Sequence, residues 1–85
     1  MVTEWLADSS PVSRKSAAEI VFEDIRSAIA KGRLAVGTRL PSEAQLAEKY
    51  SVSRPIVREA LRSLQTLGLT HTRTGSGTYV LKTSP

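Results

Sequence analysis

Residues 42–55 read Ser-Glu-Ala-Gln-Leu-Ala-Glu-Lys-Tyr-Ser-Val-Ser-Arg-Pro, and this stretch leaves little freedom to the chain around it. Ser42 and Gln45 have capping-box spacing, in which the hydroxyl takes an orphan helix amide and the third residue reaches back. Leu46, Ala47 and Tyr50 add an apolar stripe, so a short helix is predicted over 42–50. Ser51-Val52 leaves room only for a turn, because Ser53 is placed to cap another helix. Pro55 falls in the first turn after that cap, where a missing amide costs little. Ile56, Val57, Ala60, Leu61, Leu64 and Leu67 then recur at helical spacing until Gly68, a natural C′ residue. Two helices joined by a turn of about three residues have the helix-turn-helix spacing.

The flanking sequence fits that unit into one small domain. Ser16 and Glu19 have capping-box spacing ahead of Ile20, Val21, Phe22, Ile25, Ala28 and Ile29, which predicts a first helix over 16–31. Gly32–Leu40 holds two glycines and breaks it, and Thr38–Leu40 has room for a very short strand. After Gly68 the pattern turns to threonine, valine and tyrosine in 69–73 and 78–81, with Gly75-Ser76-Gly77 between, which reads as a β-hairpin. The predicted fold is mainly α with small β, a winged helix-turn-helix of three helices plus a C-terminal β-hairpin wing. It occupies residues 16–82, after an arm at 1–15 where Ser9, Ser10, Pro11 and Ser13 break periodicity and Trp5 has no evident packing partner.

Eighty-five residues suit one domain, and 40% hydrophobic content is enough for a small core. There are no cysteines, which excludes disulfides, thiolate metal sites and cysteine nucleophiles. No run approaches the roughly 18 apolar residues of a membrane span, and the first ten residues lack the order of a signal peptide. A cytoplasmic domain with no membrane partner is expected. The net charge of +4 is distributed unevenly. Residues 1–48 hold six basic residues against seven acids, whereas residues 49–85 hold six against Glu59 alone. That asymmetry is the footprint of a surface facing a polyanion, or else of an ordinary solvated basic face.

The third helix sharpens the choice. At about 100° per residue, its apolar residues cover one face, while Arg54, Arg58, Arg62 and Gln65 fall within about 80° of each other on the next. Such a helix fits a DNA major groove, and arginine suits guanine edges and phosphates. The plainer alternative is a solvated face with Arg58 paired to a nearby acid. Ser42 and Ser53 stand at helix N-termini, which bind phosphate oxygens readily, although capping alone explains both. Arg73-Thr74-Gly75-Ser76-Gly77-Thr78 lacks the following helix that a nucleotide loop needs. Its glycines permit either a tight hairpin or close approach to DNA, with Arg73 at the base. His71 has no partner ligand for a metal. No nucleophile–base–orienter set can be assembled, so neither catalysis nor a cofactor or metal is expected.

The run Ile25-Arg26…Ile29…Gly32-Arg33-Leu34…Gly37-Thr38-Arg39-Leu40-Pro41-Ser42-Glu43…Leu46-Ala47 resembles the opening of the GntR family of bacterial transcription regulators. The likeness continues through Val52-Ser53-Arg54…Val57-Arg58-Glu59-Ala60-Leu61…Leu64…Gly68-Leu69 and closes with Arg73-Thr74-Gly75-Ser76-Gly77-Thr78-Tyr79-Val80. It spans residues 19–81, and the Arg-Glu-Ala-Leu run after Ser-Arg-Pro is most similar to the FadR-type subgroup. Two positions depart from the pattern. Ala35-Val36-Gly37 lacks the usual proline before the glycine, and Ala44 stands where some members carry a DNA-contacting arginine.

The resemblance implies sequence-specific binding of double-stranded DNA at a short pseudo-palindromic operator, in a repressor or an activator. It assigns Arg54 and Arg58 to major-groove and backbone contacts and places Thr74 and Gly75 near the minor groove. With the spacing argument, the candidate contacts are Ser42, Ser53, Arg54, Pro55, Arg58, Arg62, Arg73, Thr74, Gly75, Ser76 and Gly77. The resemblance also implies that 83–85 begin a linker to an effector-binding, dimerising domain, all-helical in the FadR-type subgroup. On that reading the full-length protein is a homodimer. This stretch binds no small molecule and dimerises weakly or stays monomeric. Two other functions compete: a winged helix that meets an acidic protein partner, and a domain fused to an aminotransferase-like enzyme.

Overall fold

The computed structural model describes residues 15–85. Trp5 and nearly all of the expected N-terminal arm lie outside them.

Helix α1 (Ala17–Ala30) begins at Ser16, whose hydroxyl accepts the Glu19 amide at 3.1 Å. It buries Ala18, Val21, Ile25 and Ile29 and exits through Gly32 at φ +79°. Helix α2 (Glu43–Tyr50) starts with both halves of the expected capping box, the Ser42 hydroxyl accepting from the Gln45 amide and the Gln45 side chain accepting from the Ser42 amide. It ends at Ser51, a non-glycine residue in the left-handed region at φ +55°. Helix α3 (Arg54–Thr66) follows after the short turn and closes at Gly68, φ +77°.

Strands β1 (Thr70–Arg73) and β2 (Gly77–Val80) form the expected antiparallel hairpin, with Thr70 opposite Val80 and Arg73 opposite Gly77. The short segment before α2 joins this hairpin, as its spacing allowed. Arg39 bridges Tyr79, the Leu40 amide donates to the Thr78 carbonyl at 2.8 Å, and the Val80 amide donates to the Thr38 carbonyl at 2.9 Å. This contact ties the wing to the chain entering α2 and sets its position relative to the helices.

The core is one apolar cluster. Val21, Ile25 and Ile29 of α1 meet Leu46 of α2 and Val57, Ala60 and Leu64 of α3, with Leu40, Leu69 and Val80 closing it beneath the wing. Burial at such sites stabilises by about 25 cal/mol per Å² of apolar surface removed from water. Two residues that helical spacing assigned to the apolar faces stand apart. Ile20 is 55% exposed because it lies at the edge of its stripe, and Leu67 38% exposed because it is the C-cap residue, one past the last residue of α3. Tyr50, half-buried, donates from its hydroxyl to Asp24 and joins the end of α2 to α1. Burial, and then the Asp24 carboxylate that accepts this bond, raises the phenol's pKa well above its ordinary value.

Candidate nucleic-acid interface

Arg54, Arg58 and Arg62 are exposed along α3, while Val57, Ala60 and Leu64 on another face are buried. The separation that the helical spacing predicted is therefore present. The middle arginine is also paired. Arg58 Nε donates to Glu43 Oε2 at 3.2 Å, and Nη2 donates to Oε1 at 3.0 Å. Bidentate geometry fixes the guanidinium plane, and it occupies only the side-on edge of the group. Nη1 and the outer hydrogen of Nη2 make no bond to the described residues.

Glu43 is the first residue of α2, so the capping box that starts the helix also sets where this carboxylate stands. The hydrogen bond from Arg58 pulls the Glu43 pKa below its ordinary value, against a smaller opposing effect of desolvation, and the charges of Arg58 and Arg54 add to the fall. The same bond raises the Arg58 pKa. Sequence reasoning offered pairing to an acid and an exposed basic stripe as alternatives; Arg58 satisfies both.

The wing is organised around a residue that sequence reasoning did not single out. The Arg73 guanidinium lies 4.7 Å from the centre of the Tyr79 ring, and the Tyr79 and Ser76 hydroxyls share a hydrogen bond at 2.6 Å. A cation over an aromatic face is held by the ring quadrupole. The hydroxyls of Thr72 and Thr78 meet across the strands at 3.1 Å. Thr74, Gly75 and Ser76 form the exposed tip, with Gly75 at φ +76°. Alternation along the strand was the available signal for Tyr79, because its ring and the Arg73 side chain occupy diagonal positions.

Between α3 and the wing runs an open cleft whose floor is the chain entering α2. Ser42, Arg58, Arg62, Arg73 and residues 74–77 line it, so eight of the eleven predicted contacts surround one space. Ser53, Arg54 and Pro55 sit at the N-terminal end of α3, outside it. Four arginines line the cleft, the fourth being Arg39, against the single carboxylate of Glu43.

One expectation needs correction. Ser53 is the N-cap residue of α3, but its side chain makes no capping hydrogen bond. Pro55 removes the amide of the second helical residue, but the third, Ile56, keeps its own. That is the amide position that Ser16 and Ser42 use, and nothing in the structure explains why Ser53 does not take it. The Ser53 hydroxyl is exposed and free of that role. His71 is exposed on β1, and among the described residues no group of histidine and acidic side chains has the proximity to hold a metal ion. No helix among them is long and apolar enough to cross a membrane.

With this geometry in place, the family model for bacterial regulatory proteins of the gntR family matches residues 17–80. The chain belongs to that family. The described residues are its winged helix-turn-helix DNA-binding domain. Among the family's proteins, the HTH-type transcriptional regulator Mce2R of Mycobacterium tuberculosis is 49% identical over 82% of this chain and 29% of its own length. The HTH-type transcriptional repressor NanR of Klebsiella aerogenes is 38% identical over 87% of this chain and 28% of its own. The chain thus spans less than a third of the curated relatives it matches. A solved structure of the AraR DNA-binding domain in complex with operator ORE1 superposes with a TM-score of 0.77 at 31% identity, covering 79% of this chain and 82% of that one.

Proposed function

We propose that this domain reads an operator by setting α3 in the major groove and the wing against the adjacent minor groove. The observation that carries this reading is the placement of the α3 arginine stripe and the arginine-anchored wing on opposite walls of one cleft. A cylinder the width of a helix fits the major groove, and glycine at the wing tip lets backbone approach backbone. Arg54 enters at the N-terminal end of α3. The resemblance gives Arg58 a backbone contact; because Glu43 holds its side-on edge, we assign it instead to a base, its end-on edge being a fork suited to guanine O6 and N7. Thr74 and Gly75 supply the tip contact, and the Ser42 and Ser53 hydroxyls sit where helix amides favour phosphate oxygens.

On the same reading the domain serves a cytoplasmic regulator that is not an enzyme. As in the NanR repressor it resembles, the sign of regulation is repression, exerted by a full-length homodimer on a pseudo-palindromic site. The likeness of this stretch to AraR(DBD), solved with an operator, supports double-stranded DNA rather than an acidic protein as the partner. The test is titration against duplex DNA over a range of salt. Affinity falls steeply as counterions are displaced by the phosphate contacts, with a log–log slope of about −0.9 per contact. A salt-insensitive affinity contradicts the proposal.

A further inference from the structure

We propose that Arg39, on the floor of the cleft with its side chain lying across the wing at Gly77, is an additional clamp on the DNA backbone. The inference rests on the DNA-binding reading above. A protein that puts one element in the major groove and another over the adjoining minor groove must straddle the sugar-phosphate strand between those grooves. In this domain the straddled strand enters the cleft between α3 and the wing, and whatever stands on the floor of that cleft faces its phosphates.

Arg39 stands there. Its backbone is held against β2 by the bridge to Tyr79 and by the two flanking amide–carbonyl bonds, so it is placed independently of its own side chain. Its side chain passes over residue 77 so closely that a Cβ at that position would meet Arg39 Nε at 2.6 Å. Gly77 also has φ +136°, a conformation that L side chains rarely adopt. Gly75, by contrast, has open space around the position of its missing Cβ. The close approach marks the path of the Arg39 side chain over the wing, while the backbone conformation alone already favours glycine at 77.

The guanidinium of Arg39 makes no ion pair among the described residues. The one carboxylate lining the cleft, Glu43, is engaged by Arg58. The other walls carry Arg62 and the ring-held Arg73. Arg39 is thus an exposed cation with free donors, directed by its backbone into a space bounded by further cations. A phosphate diester is the ligand that satisfies such a fork without needing a defined base.

The test compares the unmodified chain with Arg39→Gln and Arg39→Lys on a random-sequence duplex of about 30 base pairs, titrated at several salt concentrations, with a thermal melt of each protein. Because the contact is to backbone, Arg39→Gln weakens binding roughly tenfold at low salt and lowers the magnitude of the log–log salt slope by about one. Arg39→Lys keeps the slope and loses less affinity, and both variants melt close to the unmodified chain. An unchanged affinity and slope in Arg39→Gln overturns the proposal. So does a lowered melting temperature with unaltered affinity of the folded protein, which makes Arg39 a prop for the wing alone. If the unmodified chain binds duplex DNA and Arg39→Gln binds equally, only this inference falls; if the unmodified chain binds no duplex, the DNA-binding reading falls with it.

Discussion

Glu43 holds Arg58 by two hydrogen bonds, from Nε at 3.2 Å and from Nη2 at 3.0 Å, across fifteen residues of sequence and from one helix to the next. The pair is half in solvent, with side-chain exposures of 35% for Glu43 and 54% for Arg58, so its worth to stability is small. On the proposed function, its worth to recognition is geometric. A guanidinium fixed along one edge presents the other in a defined plane, which a base edge demands and a phosphate does not.

Replacing Glu43 with glutamine therefore has two effects of opposite sign. Affinity for random-sequence duplex rises, because a negative charge leaves a surface that faces phosphates. Discrimination against operator variants changed at the Arg58 position falls, by up to about 1–3 kcal/mol if the bidentate contact is lost altogether. Titration of both proteins against single-base operator variants measures the two effects separately. A uniform loss of affinity with unchanged base preference contradicts this role for Glu43.

The pair also fixes a pH dependence. The folded pKa of Glu43 is depressed, so its stabilising contribution is present at neutral pH and is lost as pH falls through that lowered value, below the ordinary carboxylate range. Base discrimination therefore holds at mildly acidic pH and declines only once Glu43 protonates. Carbon-detected NMR titration of the Glu43 carboxyl in the unmodified chain and in Arg58→Ala checks this. The midpoint moves up in the variant.

The two wing glycines differ in what they tolerate. At Gly75 the space is open and only the left-handed backbone opposes a side chain, so Gly75→Ala costs about 1 kcal/mol. Gly77→Ala meets a φ of +136°, which L side chains rarely adopt, and costs more, while the flexible Arg39 side chain shifts aside. Thermal melts of both variants give the order. Equal losses contradict the greater backbone strain of a side chain at residue 77.

Thr70 is 1% exposed, and its hydroxyl has no hydrogen-bond partner among the described residues. Thr70→Val keeps the branched shape and removes an unpaired buried polar group. The variant is more stable by about 1 kcal/mol, as measured by chemical denaturation. A destabilised variant means the hydroxyl is satisfied in solution.

The three helices were legible in the sequence to within a residue or so because local signals delimit them. Ser16 and Ser42 cap, Gly32 and Gly68 close, and the apolar spacing lies between. Ser53 misled because residue type and spacing mark a cap position but do not fix the side chain's orientation. Ile20 misled because periodicity gives the centre of a buried stripe but not its edges, and Leu67 because the spacing continues one residue past the helix. The arginine stripe of α3 could be read from helical angles alone. The Glu43–Arg58 pair, the Tyr79 platform and the passage of Arg39 over Gly77 could not, because each joins elements that meet only after the chain folds.

On the proposed function, the arginine face of α3 reads sequence. Selecting bound sites from a random duplex pool, then titrating the recovered site and a shuffled duplex of equal composition with the unmodified chain and with Arg58→Ala, tests it most directly. The expected outcome is an enriched half-site motif, bound by the unmodified chain at least about a hundredfold tighter than the shuffled duplex, with that gap narrowed in Arg58→Ala. No enriched motif, or equal affinity of the unmodified chain for both duplexes, contradicts it.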